Sequence, residues 1–179
     1  MPAKSILVER ASRKKLLKLP VNIHKRFIDD LIEAEKLWQS ADHLVYVTLP
    51  VVRDNKLMVR ALENLHKALV LIITTILKFE YLYKRINLTS DTRKNLELFF
   101  SKCSFRYNLG REDIEIIKQI LYLGKKHKES GFEFSKSGKI IILDDSLRQE
   151  ELTADKIKKF LDAEKKLLEN TNRIFRGSV

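Results

Sequence analysis

The sequence has little of what breaks or staples a chain. A lone cysteine, Cys103, excludes an intramolecular disulfide and a cysteine-built zinc cluster, and fits a reduced, cytoplasmic setting. Five glycines and three prolines in 179 residues are too few for a many-turned β fold and leave room for long helices. Histidine is scarce as well. His24, His43, His66 and His127 form no HxxxH or HExxH pair, so a helix-borne zinc site is not expected. There is no glycine-rich phosphate loop and no GxSxG elbow. The acidic pairs Asp29-Asp30 and Asp144-Asp145 are adjacent residues, and helix neighbours point about 100° apart rather than sharing a face. Asp144-Asp145 reads as the turn leaving a hairpin. No metal and no cofactor is expected.

Long hydrophobic runs are also missing. The uncharged stretch 68–77 is fenced by Lys67 and Lys78, whereas crossing a bilayer takes about 20 residues. The opening "MPAKSILVERASRKK" lacks the apolar core of a secretory signal. A protein without a membrane span is the expectation.

What is present is periodicity. Hydrophobic residues make up 44% and charged residues 33%, the balance of a globular domain with a charge-rich surface. Leu62, Leu65, Leu69, Ile72, Ile76, Phe79, Tyr83 and Ile86 recur at alternating steps of three and four, a heptad seam. Val70, Ile73 and Leu77 add a second stripe, so this helix, 53–87, needs cover on several sides. Phe27, Leu31, Ala34, Trp38, Ala41 and Val45 predict an earlier helix over 22–48, closed at Pro50. A third begins at a Thr89 or Ser90 cap and carries Leu96, Phe99, Phe100 and Cys103 on one side, the thiol packed rather than reactive.

A fourth helix starts at Glu112 and Asp113 and ends in Lys125, Lys126, His127 and Lys128, a polarity that suits the helix dipole. "GFEFSKSGKIIILDD" predicts a β-hairpin at about 132–143, turning at Ser137-Gly138. A last helix, capped by Thr153, places Ile157, Phe160, Glu164, Leu167, Thr171 and Ile174 on a seam, with its two polar members expected at the edge. The expected fold is mostly α: an up-and-down bundle of about five helices, with a small β-hairpin before the last.

Charge divides the chain. Lys4, Arg10, Arg13, Lys14, Lys15, Lys18, Lys25 and Arg26 face one acid, Glu9, so residues 1–26 hold +7 of the total +11. A basic arm, 1–20, preceding a bundle domain, 21–179, is the expected organisation. Such an arm suits RNA or another polyanion, through Arg10, Arg13, Lys14, Lys15, Lys18, Lys25 and Arg26. Lys78, Lys84 and Arg85 with Tyr81 and Tyr83 interleaved form a second small basic patch. There the simpler reading rests both rings on the core with their hydroxyls in water.

The segments "LIEAEKLWQSADHLVYVTLP" and "RALENLHKALVLIITTIL" resemble the HEPN superfamily and the helical substrate-binding proteins that accompany small nucleotidyltransferases. The resemblance covers about 22–128. It implies an up-and-down bundle, a homodimer and RNA-related work. Many HEPN proteins are metal-independent ribonucleases with an Arg, four to six residues, then a His; Arg60 and His66 fit that count. Six residues of helix turn through about 600°, however, so the two side chains splay apart unless the helix breaks. The family's motif also sits on a later helix.

The function expected is therefore binding rather than catalysis: a non-catalytic HEPN-like bundle with its basic arm on RNA or another polyanion. The runner-up is a metal-independent endoribonuclease using Arg60 and His66. The third reading is a protein-binding subunit, antitoxin-like or partnering a nucleotidyltransferase, without nucleic-acid contact.

Overall fold

The computed structural model describes residues 21–130, 132–143 and 148–177. Arg10, Arg13, Lys14, Lys15, Lys18 and the Asp144-Asp145 pair therefore lie outside the described residues. The described chain is mostly helical, with five helices and a small antiparallel sheet before the last.

Helix α1, Val21–His43, buries Phe27, Leu31, Ala34 and Ala41 along the seam expected of it. It does not stop before Pro50. A π-helical turn, Leu44–Thr48, leads into a final α-turn, Leu49–Val52. The wider turn relieves the clash a proline ring makes with the carbonyl four residues back. The chain leaves the helix at Arg53, whose φ of 56° is left-handed. A short connection leads to α2, Lys56–Leu82, the longest helix.

Leu62, Leu65, Leu69, Ile72, Ile76 and Phe79 of α2 are all buried, which makes it the centre of the core. It ends earlier than its periodicity predicts, because Lys84 turns left-handed and the Arg85 N–H reaches back to the Glu80 carbonyl. Helix α3, Thr92–Leu98, is capped by Asp91, whose side chain accepts from the N–H groups of Arg93 and Lys94. Thr89 instead bonds the Asn95 side chain, so neither Thr89 nor Ser90 is the cap. A second π-helical turn, Phe99–Cys103, buries Phe99 and Cys103. Helix α4, Arg111–Glu129, follows, with the Asp113 carboxylate accepting the Gly110 N–H at 2.7 Å.

The hairpin β1, Phe132–Lys136, and β2, Lys139–Leu143, turns through Ser137 and Gly138, both at positive φ. A third strand, β3, Gln149–Leu152, pairs antiparallel with β2, setting Ile140 against Leu152 and Ile142 against Glu150. "QEEL" carries no strand signal. It pairs because β2, with Ile140, Ile141 and Ile142 buried, offers a free edge beside it.

Helix α5, Ala154–Arg176, packs against α1, α2 and α4. Phe27, Phe79 and Phe175 join the first, second and last helices, with Phe79 and Phe175 stacked at 4.1 Å between ring centroids. The Trp38 indole N–H donates to the Leu161 carbonyl at 3.0 Å. Contrary to expectation, Glu164 and Thr171 are fully buried rather than at the edge of the seam. Thr171 is accommodated by donating to the Leu167 carbonyl one turn back, but neither oxygen of Glu164 has a partner. Among the described residues no helix is long and apolar enough to cross a membrane.

Candidate functional site

One group of titratable side chains lies where α2, α4 and β1 meet. On α2, Arg60, Glu63 and Lys67 follow one another at helical spacing, so they share a stripe. His127 sits in the last turn of α4, where the dipole favours a cation. Its Nε2 lies 2.9 Å from Glu63 Oε1 and its Nδ1 2.5 Å from Glu133 Oε1 on β1. Both carboxylates accept only if both ring nitrogens carry hydrogen, so the geometry is that of an imidazolium between two carboxylates. Burial works against that charge, yet the hydrogen bonds to Glu133 and Glu63 outweigh it and hold His127 above its ordinary value. The bond to His127 in turn holds the Glu63 carboxyl low against the effect of burial, helped by Lys67 and Arg60.

His66, one turn from Glu63, behaves in the opposite way. Its ring lies close against α4 at Gly124, where an added Cβ would sit 2.2 Å from its Cδ2. Burial lowers its basicity, and Lys128, His127 and Lys67 push the same way, so the ring is neutral near pH 7. Its Nδ1 is buried without a partner. Two neighbouring histidines are thus shifted in opposite directions, one clamped and one packed.

Arg60 and His66 are carried by a helix unbroken from Lys56 to Leu82, and they face different surroundings. Arg60 is exposed and lines a cleft of about 380 Å³ with Lys56, Val59 and Glu133, to which His66 does not contribute. The cleft mouth is tied to the sheet by the Asn55 amide, which donates to Ser135 Oγ at 2.7 Å. Of the basic nucleic-acid candidates, Lys25 and Arg26 are described, and both are exposed near the start of α1.

The second basic patch is partly internal. Arg85 pairs with the buried carboxylate of Glu80 at 3.1 Å and lies 4.6 Å over the Tyr83 ring. Glu80 also receives the Tyr107 hydroxyl at 3.0 Å and faces Arg106 at 3.5 Å. Tyr81 is exposed, but the Tyr83 hydroxyl is buried without a partner, so only one of the two tyrosines keeps its hydroxyl in water. Cys103 is buried beside this group, and burial pushes its thiol up to about 12, which makes it inert. Among the described residues, no set of three or more His, Cys, Asp or Glu side chains is placed to hold a metal ion.

Glu63, Gly124, His127 and Glu133 were not singled out together by sequence. The visible signal was limited to Glu63 lying one turn before His66. No protein-family model matches the chain, and neither a curated protein nor a solved structure matches it significantly.

Proposed function

We propose that this chain is a non-catalytic helical-bundle binding protein of the HEPN type, which holds RNA or another polyanion through its basic amino-terminal arm and acts as a homodimer. The observation that carries the reading is the partition of charge: eight bases against one acid in residues 1–26, leaving +4 for the other 153. Such a segment gains affinity by displacing counterions from phosphates, whatever the sequence of the nucleic acid.

Absence of catalysis through Arg60 and His66 is supported by how His66 and His127 are held. An acid-base residue needs a nitrogen that can reach the scissile phosphate. Both nitrogens of His127 are engaged by carboxylates, and His66 packs against Gly124 away from the cleft of Arg60. The protein-binding reading has one observation of its own. Tyr46, Val47, Val51 and Val52 are all at least half exposed within seven residues, an apolar run suited to a protein contact such as a nucleotidyltransferase or a second copy.

RNA retention by the purified chain, measured across a salt series with and without residues 1–20, tests the proposal. Retention that weakens with salt and disappears with the deletion supports it. Retention unaffected by the deletion overturns it. RNA cleavage in EDTA that is lost in both Arg60→Ala and His66→Ala replaces it with the ribonuclease reading.

A further inference from the structure

The second apolar stripe of α2 is incompletely covered. Ile73 and Leu77 are buried, yet Val70 between them and solvent is 43% exposed. Beside them opens a cleft of about 320 Å³, with Val70, Ile73 and Leu77 as one wall and Leu96 of α3 and Leu121 of α4 facing them. That volume is in the range of sites that take one small molecule, and the walls are mostly apolar. The polar residues on the lining are Thr74, Thr92, Asn95 and Lys78, a minority of it. The Asn95 amide on the lining is already engaged, donating to the Thr89 carbonyl and accepting from the Thr89 N–H.

Charge in the cleft is of one sign. Lys78 is the single charged residue on the lining; it is exposed, and no carboxylate among the described residues pairs with it. An apolar slot with one free ammonium at its mouth selects an apolar body that ends in one negative charge.

We propose that this cleft binds a small anionic amphiphile, a medium-length carboxylate whose alkyl chain lies on Val70, Ile73 and Leu77 and whose head pairs with Lys78. The site is separate from the basic arm and from the His127 cluster, and it does not depend on the function proposed above. Each methylene buried is worth about 0.8 kcal/mol, so affinity rises about fourfold per added carbon until the slot is filled. The exposed head pair adds a further two- to fivefold, roughly.

The test is calorimetric titration of the full chain with hexanoate, octanoate and decanoate below their micelle concentrations, beside decanol and decylamine. The expected result is one-to-one binding that tightens along the acid series and prefers decanoate over decanol and decylamine. Lys78→Glu should reverse the preference towards decylamine. Val70→Trp should block the slot, as should Thr92→Trp on the opposite, exposed lip, and thermal melting confirms that each variant is folded. Affinity independent of chain length, equal binding of decylamine and decanoate by the unaltered chain, or binding indifferent to both tryptophans overturns the proposal.

Discussion

Glu164 is the side chain least at ease in its surroundings. It is fully buried on α5, and burial alone raises its proton affinity well above the ordinary carboxyl value. Since the folded state then binds a proton that the unfolded chain releases near 4.5, stability is undiminished below that pH and erodes as pH rises. Glu164→Met should raise the free energy of unfolding at neutral pH by ~1–3 kcal/mol, with a gain that grows with pH. Denaturant melts at several pH values decide it; a loss of stability at pH 7 would show that the carboxyl has an undetected role. His127 has the same sense for a different reason, its two carboxylate partners. Its folded value is raised, so its contribution is complete below about 6.5 and fades as pH climbs through the higher folded value. Glu63 is lowered, so its share is present above about 4.5 and is lost as pH falls through the lower folded value. His127→Gln should therefore destabilise by ~1–3 kcal/mol, most strongly between those limits, and less in alkaline buffer. An equal deficit at every pH would refute the charged clamp.

At the scale of the element, α2 and α4 are held close by a missing side chain. Gly124→Ala places a methyl against the Cβ, Cγ and Cδ2 of His66, and the first of these cannot swing away. Overpacking of that kind costs about 1–3 kcal/mol, partly offset by the roughly 1 kcal/mol that alanine gains over glycine in a helix. The double variant Gly124→Ala, His66→Ala removes the Cγ and Cδ2 contacts but keeps the Cβ one, so it should recover only part of the loss. Independent, additive effects in that cycle would mean the helices do not meet there. The seams of α1, α2 and α5 were legible because burial follows spacing. Helix ends were less so, since Asp91 competes with Thr89 and Ser90 for one cap and Pro50 is tolerated after a π-helical turn. Strand β3 gave no signal because its pairing is imposed by β2. The clamp was illegible for a similar reason: His127 and Glu63 lie 64 residues apart, and only the crossing of two helices joins them.

For the molecule as a whole, the distribution of charge sets what can be measured. Deleting residues 1–20 removes six of the eight leading bases. If each neutralises one phosphate of single-stranded RNA, the slope of log affinity against log salt should flatten by up to about 4. Fluorescence anisotropy of a labelled oligonucleotide across a salt series measures that slope directly. An unchanged slope would place the contact elsewhere on the bundle.

The chain has a single tryptophan, and it bridges α1 to the backbone of α5 at Leu161, with the Lys165 ammonium 5.6 Å from its ring. Its emission therefore reports one event in isolation: whether the opening and closing helices are zipped together. No dye or label is needed to watch this bundle come apart, or to learn whether its two ends release before its middle does.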